Sequence, residues 1–295
     1  MALADECTLI EIKQQYPGFD HFVGSWLYRG DVNLLVDVGP ARSAGRFVES
    51  LVEMDVDRVD YILLTHIHID HAGGLAECLE HFPMARVICH NKGVRHLVDP
   101  SRLWDGSLKV LRRIAEAYGR PKPVPEQLFI PHTESPMKEL MIIETPGHAP
   151  HHLSFSFRRH LFAGEAAGNY YTLGDRDYLR PATPPKFFME VFLASLDKLS
   201  SLEDQHICYT HFGEAQSSHR MVRRFRAQVL RWHEIIREEM SGDSNDVLTR
   251  CLERLLKEDD DLRAYETMGR DMQEREAFFI VNSIKGYIDF LQTGR

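Results

Sequence analysis

Short apolar runs separated by turn residues characterise the first two thirds of the chain. Residues 22–28 and 32–38 are two such runs split by Arg-Gly-Asp, which predicts a β-hairpin. Residues 59–64 form a mainly apolar run that is typical of a strand buried on both faces. Further strand-sized runs recur at 86–89, 140–143, 153–157, 161–163 and 206–209.

Apolar residues at helical spacing interrupt these runs and then dominate the end of the chain. Over residues 43–54 they predict a helix, and the succession of helix and strands indicates a layered α/β fold. After His211, three apolar stripes fall at spacings of three and four, at 222–240, 247–256 and 280–291. We expect a helical appendage, interrupted by a solvated acidic run at 258–261.

The middle of the chain is less regular. One helix is predicted around residues 107–118, and the prolines that follow, up to Pro136, forbid a long regular element. We expect this part of the chain to be a surface loop near the entrance of a functional site. The pattern as a whole divides the chain into a layered region at 1–213 and a helical region at 214–295.

Composition and charge narrow the classes of function. The chain has 43% hydrophobic and 27% charged residues, which is typical of a globular protein. Its formal charge of −9 disfavours broad nucleic-acid binding, because a phosphate backbone requires a basic surface. Five cysteines without a CxxC pair indicate reduced, buried thiols. Since neither a secretory signal nor a membrane-length apolar stretch is found, we expect a cytoplasmic protein without membrane contact.

Four candidate metal ligands follow the apolar run that ends at Leu64. Residues 65–71 read Thr-His-Ile-His-Ile-Asp-His, which contains the pattern His-x-His-x-Asp-His. Histidines two residues apart point to one side of an extended segment, whereas the adjacent Asp70 and His71 must diverge. One loop can therefore supply ligands to two metal ions that lie a few ångströms apart.

This loop resembles the signature of the metallo-β-lactamase-fold hydrolase superfamily. Three further motifs follow in the order and spacing of that family: Pro146-Gly147-His148, Phe162-Ala163-Gly164-Glu165 and Tyr209-Thr210-His211. The resemblance spans roughly residues 20–213. It implies an αββα sandwich with a dinuclear metal site, here followed by a carboxy-terminal helical appendage.

The resemblance also implies a ligand role for seven residues. One ion is assigned to His66, His68 and His148, the other to Asp70, His71 and His211, with Glu165 between them. The family usually has Asp at position 165, and the extra methylene of Glu lengthens the reach by about 1 Å. Whether Glu165 bridges both ions therefore stays open. We expect two divalent cations, zinc first, while iron and manganese also suit imidazole and carboxylate ligands.

Two cations that share one water lower its pKa toward neutrality, so that hydroxide is available as a nucleophile without a Ser-His-Asp arrangement. The resemblance implies that Asp70 orients this nucleophile and carries its proton.

His151 and His152 are candidates to support the metal ligands through hydrogen bonds. The loop after Glu165 holds the expected substrate contacts, which are Tyr170, Tyr171, Arg180 and Phe187.

The helices after the sandwich make the chain most similar to hydroxyacylglutathione hydrolases and related thioesterases. We therefore expect hydrolysis of an acyl thioester or related ester of a small molecule. Lactone and phosphodiester hydrolysis use the same nucleophile and stay open. Alternatives of other classes are a non-heme iron oxygenase resembling persulfide dioxygenases, and a signalling or interaction protein that retains a metal site. The sequence also leaves open whether the protein forms a homodimer.

Overall fold

The computed structural model describes residues 6–242 and 246–294, and a six-stranded sheet forms its first layer. In spatial order the strands are β1 (Cys7–Glu11), β2 (Gly24–Tyr28), β3 (Leu34–Val36), β4 (Tyr61–Leu63), β5 (Arg86–Cys89) and β6 (Phe129–Pro131). Strands β1 to β3 pair antiparallel, and β3 to β6 pair parallel. The predicted hairpin is confirmed as β2 and β3, whereas β1 was not predicted.

A five-stranded sheet forms the second layer. Its strands are β7 (Met141–Glu144), β8 (Leu153–Phe157), β9 (His160–Phe162), β12 (His206–Tyr209) and β13 (Gly213–Ala215), and their spatial order is β13-β12-β9-β8-β7. Between β9 and β12 the chain forms a separate antiparallel pair, β10 (Asn169–Leu173) and β11 (Arg176–Arg180).

Apolar side chains on the facing sides of the two sheets pack the sheets against each other. Leu34 and Val36 of β3 lie in an apolar layer together with Phe155 and Phe162 of the second sheet. Leu35, between them in sequence, points to the opposite face and joins the cluster that includes the helices. Because successive side chains of a strand alternate between faces, both faces of the sheet are buried. The result is the predicted αββα sandwich.

Seven helices accompany the two sheets in the described part of the chain. They are α1 (Ala44–Glu53), α2 (Ile69–Ala72), α3 (Leu75–His81), α4 (Asn91–Val98), α5 (Ser101–Leu111), α6 (Arg113–Tyr118) and α7 (Met189–Ser200). The helix predicted over 43–54 is confirmed as α1. The single helix predicted around 107–118 is instead the end of α5 followed by α6, because Arg112 has φ of 53° and breaks the helical backbone.

The three apolar stripes at the end of the chain form helices, as predicted. They are α8 (Ser218–Met240), α9 (Val247–Glu258) and α10 (Arg270–Thr293). The acidic run between the last two is solvated only in part: Glu258 and Asp260 are exposed, as expected, but Asp259 is only 1% exposed. Its carboxylate accepts hydrogen bonds from Gln228 and Trp232 of α8. The division of the chain after residue 213 stays a prediction.

A buried ion cluster connects α10 to the strands. Arg180 of β11 donates from Nε to Glu276 Oε2 at 2.5 Å, and Arg275 donates from Nε to Glu276 Oε1 at 2.8 Å. All three residues are at most 3% exposed. Breaking such a pair leaves an uncompensated buried charge, so α10 is held firmly against β11. No helix among the described residues combines the length and hydropathy that a membrane span requires.

The core position of Trp232 leads to a first testable prediction. Trp232 is fully buried, whereas Leu230 on the same helix is 41% exposed. We expect Trp232→Ala to lower the free energy of unfolding by about 3–5 kcal/mol, because it opens a cavity. Leu230→Ala should change it by about 0.5 kcal/mol or less. Urea denaturation measures both, and a loss below about 1 kcal/mol for Trp232→Ala would show that α8 does not pack as described.

Candidate metal centre

The loop after β4 presents its polar side chains because its isoleucines are anchored in the core. Ile67 and Ile69 are 2% and 1% exposed, respectively. His66 and His68 alternate with them, so both imidazoles lie on the other side of the chain. The short helix α2 then begins at Ile69 and carries Asp70.

A first group of four donors converges beside this loop. His66, His68, His148 and Glu165 each offer a ligand atom within 4.8 Å of the others. His68 Nδ1 lies 2.9 Å from Nε2 of both His66 and His148. His148 Nε2 lies 2.7 Å from Glu165 Oε2. Three imidazoles and a carboxylate at these separations are a donor set suited to a divalent transition metal.

A second group lies next to the first and shares its carboxylate. It comprises Asp70, His71 and His211, whose ligand atoms are likewise within 4.8 Å of one another. Glu165 Oε2 is 3.7 Å from His71 Nε2, and Glu165 Oε1 is 3.5 Å from His211 Nε2. His71 Nε2 is buried without a hydrogen-bond partner. A buried imidazole nitrogen with no partner fits a metal ion that completes its coordination.

Asp37 fixes the orientation of this second group and was not among the site residues predicted from the sequence. The residue follows β3 directly and is fully buried. Its Oδ2 accepts hydrogen bonds from His71 Nδ1 at 2.9 Å and from the hydroxyls of Thr65 and Thr210 at 2.8 Å each. With Nδ1–H donating to Asp37, the lone pair of His71 Nε2 faces the centre. The one feature of the sequence that points to Asp37 is that its carboxylate lies within the apolar run at 32–38.

Backbone carbonyls orient two further imidazoles. His148 Nδ1 donates to the carbonyl of Ala182 at 2.9 Å, and His211 Nδ1 donates to that of Phe22 at 3.0 Å. A carbonyl can only accept, so Nε2 of each ring is the atom left for a metal. The predicted supporting role applies to His152, whose Nε2 accepts from the backbone N–H of Glu165 at 3.1 Å.

Helix α10 holds the segments that carry these carbonyls. Ser283 donates from Oγ to the carbonyl of Pro181 at 3.0 Å, next to Ala182. Arg275 donates to the carbonyl of Gly18, and its guanidinium carbon lies 4.3 Å from the ring centre of Phe22. The carboxy-terminal helix therefore acts on the orientation of two candidate ligands without touching either.

Burial sets the charge state of the donors. Desolvation lowers the pKa of His66 and His68 far below the usual value, and neighbouring imidazoles add to the effect, so both rings are neutral. Burial opposes charge on Glu165 and His71 as well. However, the positive charges of His148 and His211 hold the pKa of Glu165 well below its usual range. The negative charges of Asp37 and Asp70 raise the pKa of His71 to about 9. A metal at His71 Nε2 displaces a proton there, so its affinity falls as the pH decreases below this value.

The four predicted substrate contacts lie in different surroundings. Arg180 is paired with Glu276, Tyr170 donates to Asp177, and Phe187 packs against Tyr287. Tyr171 stacks on Phe22 with ring centres 6.4 Å apart, and its buried hydroxyl has no hydrogen-bond partner among the described residues. Their role in binding substrate stays a prediction.

An αββα sandwich with histidine and carboxylate donors on the loops that follow its strands is the architecture of the metallo-β-lactamase class, whose members are largely metal-dependent hydrolases. The sequence pattern of the Metallo-beta-lactamase superfamily matches residues 19–211. The chain belongs to this superfamily.

Individual relatives agree with this membership. The metallo-β-lactamase fold-containing protein ST1585 of Sulfurisphaera tokodaii is 27% identical over 232 residues, 75% of this chain and 84% of that protein. A hydroxyacylglutathione hydrolase of Salmonella paratyphi A is 28% identical over 201 residues, 66% of this chain and 63% of that protein. The crystal structure of TTHA1429 from Thermus thermophilus superposes with a TM-score of 0.67 at 22% identity and covers 99% of this chain and 95% of that one. The last likeness supports the fold alone.

The position of Glu165 between the two groups predicts how substitutions change metal binding. Glu165→Asp shortens the reach by about 1 Å. We expect at least one ion to be bound about tenfold more weakly, without unfolding, because the charge is retained. Glu165→Gln, which removes the charge, should bind metal more weakly still. Metal content after dialysis at buffered zinc concentrations measures this.

Asp175 provides the control for the same experiment, because it is an exposed residue between β10 and β11. Asp175→Asn should retain both ions. Unchanged metal binding in both Glu165 variants, with a loss in Asp175→Asn, would contradict the assignment.

The close approach of α10 to the segment around Ala182 gives another prediction. A Cβ on Gly286 would lie 1.9 Å from the carbonyl oxygen of Thr183. We expect Gly286→Ala to destabilise the fold by about 1–3 kcal/mol through overpacking. Displacement of the carbonyl that orients His148 should also weaken zinc binding by about 10–100-fold.

Gly106 of α5 is the matched control, since a Cβ added there would meet no atom within 4 Å beyond its own helix backbone and chain neighbours. Gly106→Ala should be neutral or stabilise by up to about 1 kcal/mol, because alanine favours helix. Urea denaturation measures the free energy of unfolding of both variants, and a zinc competition titration measures their zinc affinity. Parent-like stability and zinc affinity in Gly286→Ala would contradict the described contact.

Proposed function

We propose that the protein is a dinuclear metal-dependent hydrolase that cleaves an acyl thioester or a related ester of a small molecule. The observation that carries the proposal is the position of Glu165. One of its carboxylate oxygens is 2.7 Å from His148 Nε2 in the first donor group, and the other is 3.5 Å from His211 Nε2 in the second. A carboxylate between two donor groups can offer one oxygen to a cation in each of them.

When bound, two divalent cations lower the pKa of a shared water and polarise the carbonyl oxygen of a substrate. Asp70 is the proposed acid–base residue, because it is the carboxylate of the second group and burial raises the pKa of its carboxyl. Its Oδ2 is 3.9 Å from His71 Nε2, so it can orient a nucleophile and accept a proton there. Tyr171 is the proposed substrate contact, since its buried hydroxyl has no partner within the described residues.

The preference for thioesters draws on the relatives as well as on the site. The match to hydroxyacylglutathione hydrolase extends over 66% of this chain. A thiolate is a better leaving group than an amine, so the proposed centre needs no strong general acid to complete the cleavage. We place zinc first among the ions, with iron and manganese as alternatives.

A substrate panel tests this function. Protein loaded with zinc, iron or manganese is assayed with acyl thioesters, carboxylic esters, lactones and phosphodiesters. We expect the highest kcat/KM for a thioester, detected through release of the free thiol. Asp70→Asn should reduce kcat/KM by about 100-fold or more, because acid–base assistance is typically worth at least that factor.

The control is Asp175→Asn, which should have the activity of the parent. Preference for a lactone or phosphodiester would replace the proposed substrate class but retain the hydrolase. Oxygen consumption with a persulfide by the iron form, without ester cleavage, would identify an oxygenase instead. Absence of any turnover in fully metal-loaded protein would contradict an enzymatic role and favour a signalling or interaction protein.

A further inference from the structure

Three neighbouring parallel strands each lead directly into a polar segment that carries a histidine. Residues 64–66 follow β4 and end in His66, His90 follows β5, and His132 follows β6. Cys89 and Pro131, the last residues of β5 and β6, are register partners, so the histidines that follow them are neighbours. We propose that His90 and His132, together with Glu144 at the end of β7, bind an additional divalent cation of the zinc class.

The donor atoms of this cluster converge. The three side chains offer ligand atoms that all lie within 4.8 Å of one another. Glu144 Oε1 is 3.0 Å from His132 Nε2 and 3.9 Å from His90 Nε2. Ligands at about 2.0–2.2 Å from a tetrahedral zinc lie roughly 3.3 Å apart, so the two distances bracket the required value. The imidazoles stack with ring centres 4.3 Å apart, and Nε2 of each ring lies within 4 Å of the same Glu144 oxygen.

Hydrogen bonds at Nδ1 hold the imidazole rings of His90 and His132 in place. His132 Nδ1 lies 2.9 Å from Asn91 Oδ1 and 3.1 Å from the backbone N–H of Asn91. The tautomer that donates from Nδ1 to Oδ1 leaves Nε2 free for a metal, whereas the tautomer that accepts at Nδ1 donates from Nε2 to Glu144. His90 Nδ1 accepts from the backbone N–H of Lys92 at 3.1 Å and caps α4. Binding through His90 Nε2 moves the ring proton to Nδ1 and breaks this cap. We therefore expect weaker zinc binding here than at the dinuclear centre.

The surroundings combine buried imidazoles with an accessible carboxylate. The side chains of His90 and His132 are 6% and 7% exposed, whereas that of Glu144 is 53% exposed. An ion can therefore enter from solvent, and three protein ligands leave a fourth position for water or a substrate group. Burial, with a contribution from His132, lowers the pKa of His90, which keeps the ring neutral for metal binding.

The cluster is adjacent to the proposed dinuclear centre but shares no ligand with it. Glu144 lies four residues before His148 on the same strand-to-loop segment. The ring centre of His151 lies 6.4 Å from that of His66 and 5.9 Å from that of His68, on the side of the dinuclear centre. An ion at the cluster would add positive charge close to the dinuclear centre.

Zinc stoichiometry tests the proposal with the full-length protein. Parent, His132→Gln, Glu144→Gln and the control His206→Gln are stripped with a chelator and dialysed against the same series of free zinc concentrations. His206 is a matched control because its Nε2 also lies near a carboxylate, 3.2 Å from Glu214 Oε2, outside any three-donor group found in the described chain. Zinc per chain is then measured by elemental analysis.

We expect His132→Gln and Glu144→Gln to bind one zinc per chain fewer than the parent at saturation, and His206→Gln to match the parent. Equal zinc content in all four proteins would overturn the proposal. Because the result is a difference, it does not depend on how many ions the dinuclear centre retains.

An anomalous difference map of a zinc-soaked parent crystal is independent of how the variants fold. It should show a peak between His90, His132 and Glu144. No peak there, with zinc peaks present at the dinuclear centre, would also overturn the proposal and would mean that Glu144 is only a hydrogen-bond acceptor for His132.

Discussion

The buried carboxylate of Asp37 is the constraint on which the rest of the site depends. Oδ1 accepts from the backbone N–H of Thr65 at 2.8 Å, and Oδ2 accepts from His71 and from two threonine hydroxyls. An unpaired buried charge is very costly, so these donors must stay in place for the protein to remain folded. Thr65 belongs to the loop after β4 of one sheet, and Thr210 follows β12 of the other. The requirement to satisfy one carboxylate thus fixes both sheets and the metal-binding loop relative to one another.

The carboxy-terminal helices add a second constraint from outside the matched family region, which ends at residue 211. Helix α10 contacts the backbone next to Ala182 through Ser283 and stacks Arg275 on Phe22. The carbonyls of Ala182 and Phe22 orient His148 and His211. The helical region is therefore part of the metal centre's support, so that substitutions in α10 can change metal binding at a distance.

Local sequence pattern was enough to predict the metal-ligand motif, helix α1 and the three helices at the end of the chain. It did not predict α2 to α4, α7 or the contacts between distant segments. The motif at 65–71 could be recognised because its histidine spacing and the strand before it lie within a few residues. The role of Asp37 could not be predicted from its position in an apolar run alone, since its partners Thr65 and Thr210 are 28 and 173 residues away. Within the acidic run at 258–261, Asp259 was misjudged for the same reason: composition predicts solvent, whereas the indole of Trp232 on another helix donates to its carboxylate. Strand β1 and the β10–β11 pair were not predicted, because they mix polar and apolar residues and are stabilised by their pairing with neighbouring strands.

We propose that seven side chains form one centre for two metal ions, with Glu165 between them. Diffraction from zinc-loaded crystals at the zinc absorption edge tests it most directly. We expect two anomalous peaks at this centre, one bound by His66, His68 and His148 and the other by Asp70, His71 and His211, with ligand distances of about 2.0–2.2 Å. A single peak, or zinc bound away from Glu165 in both positions, would contradict it.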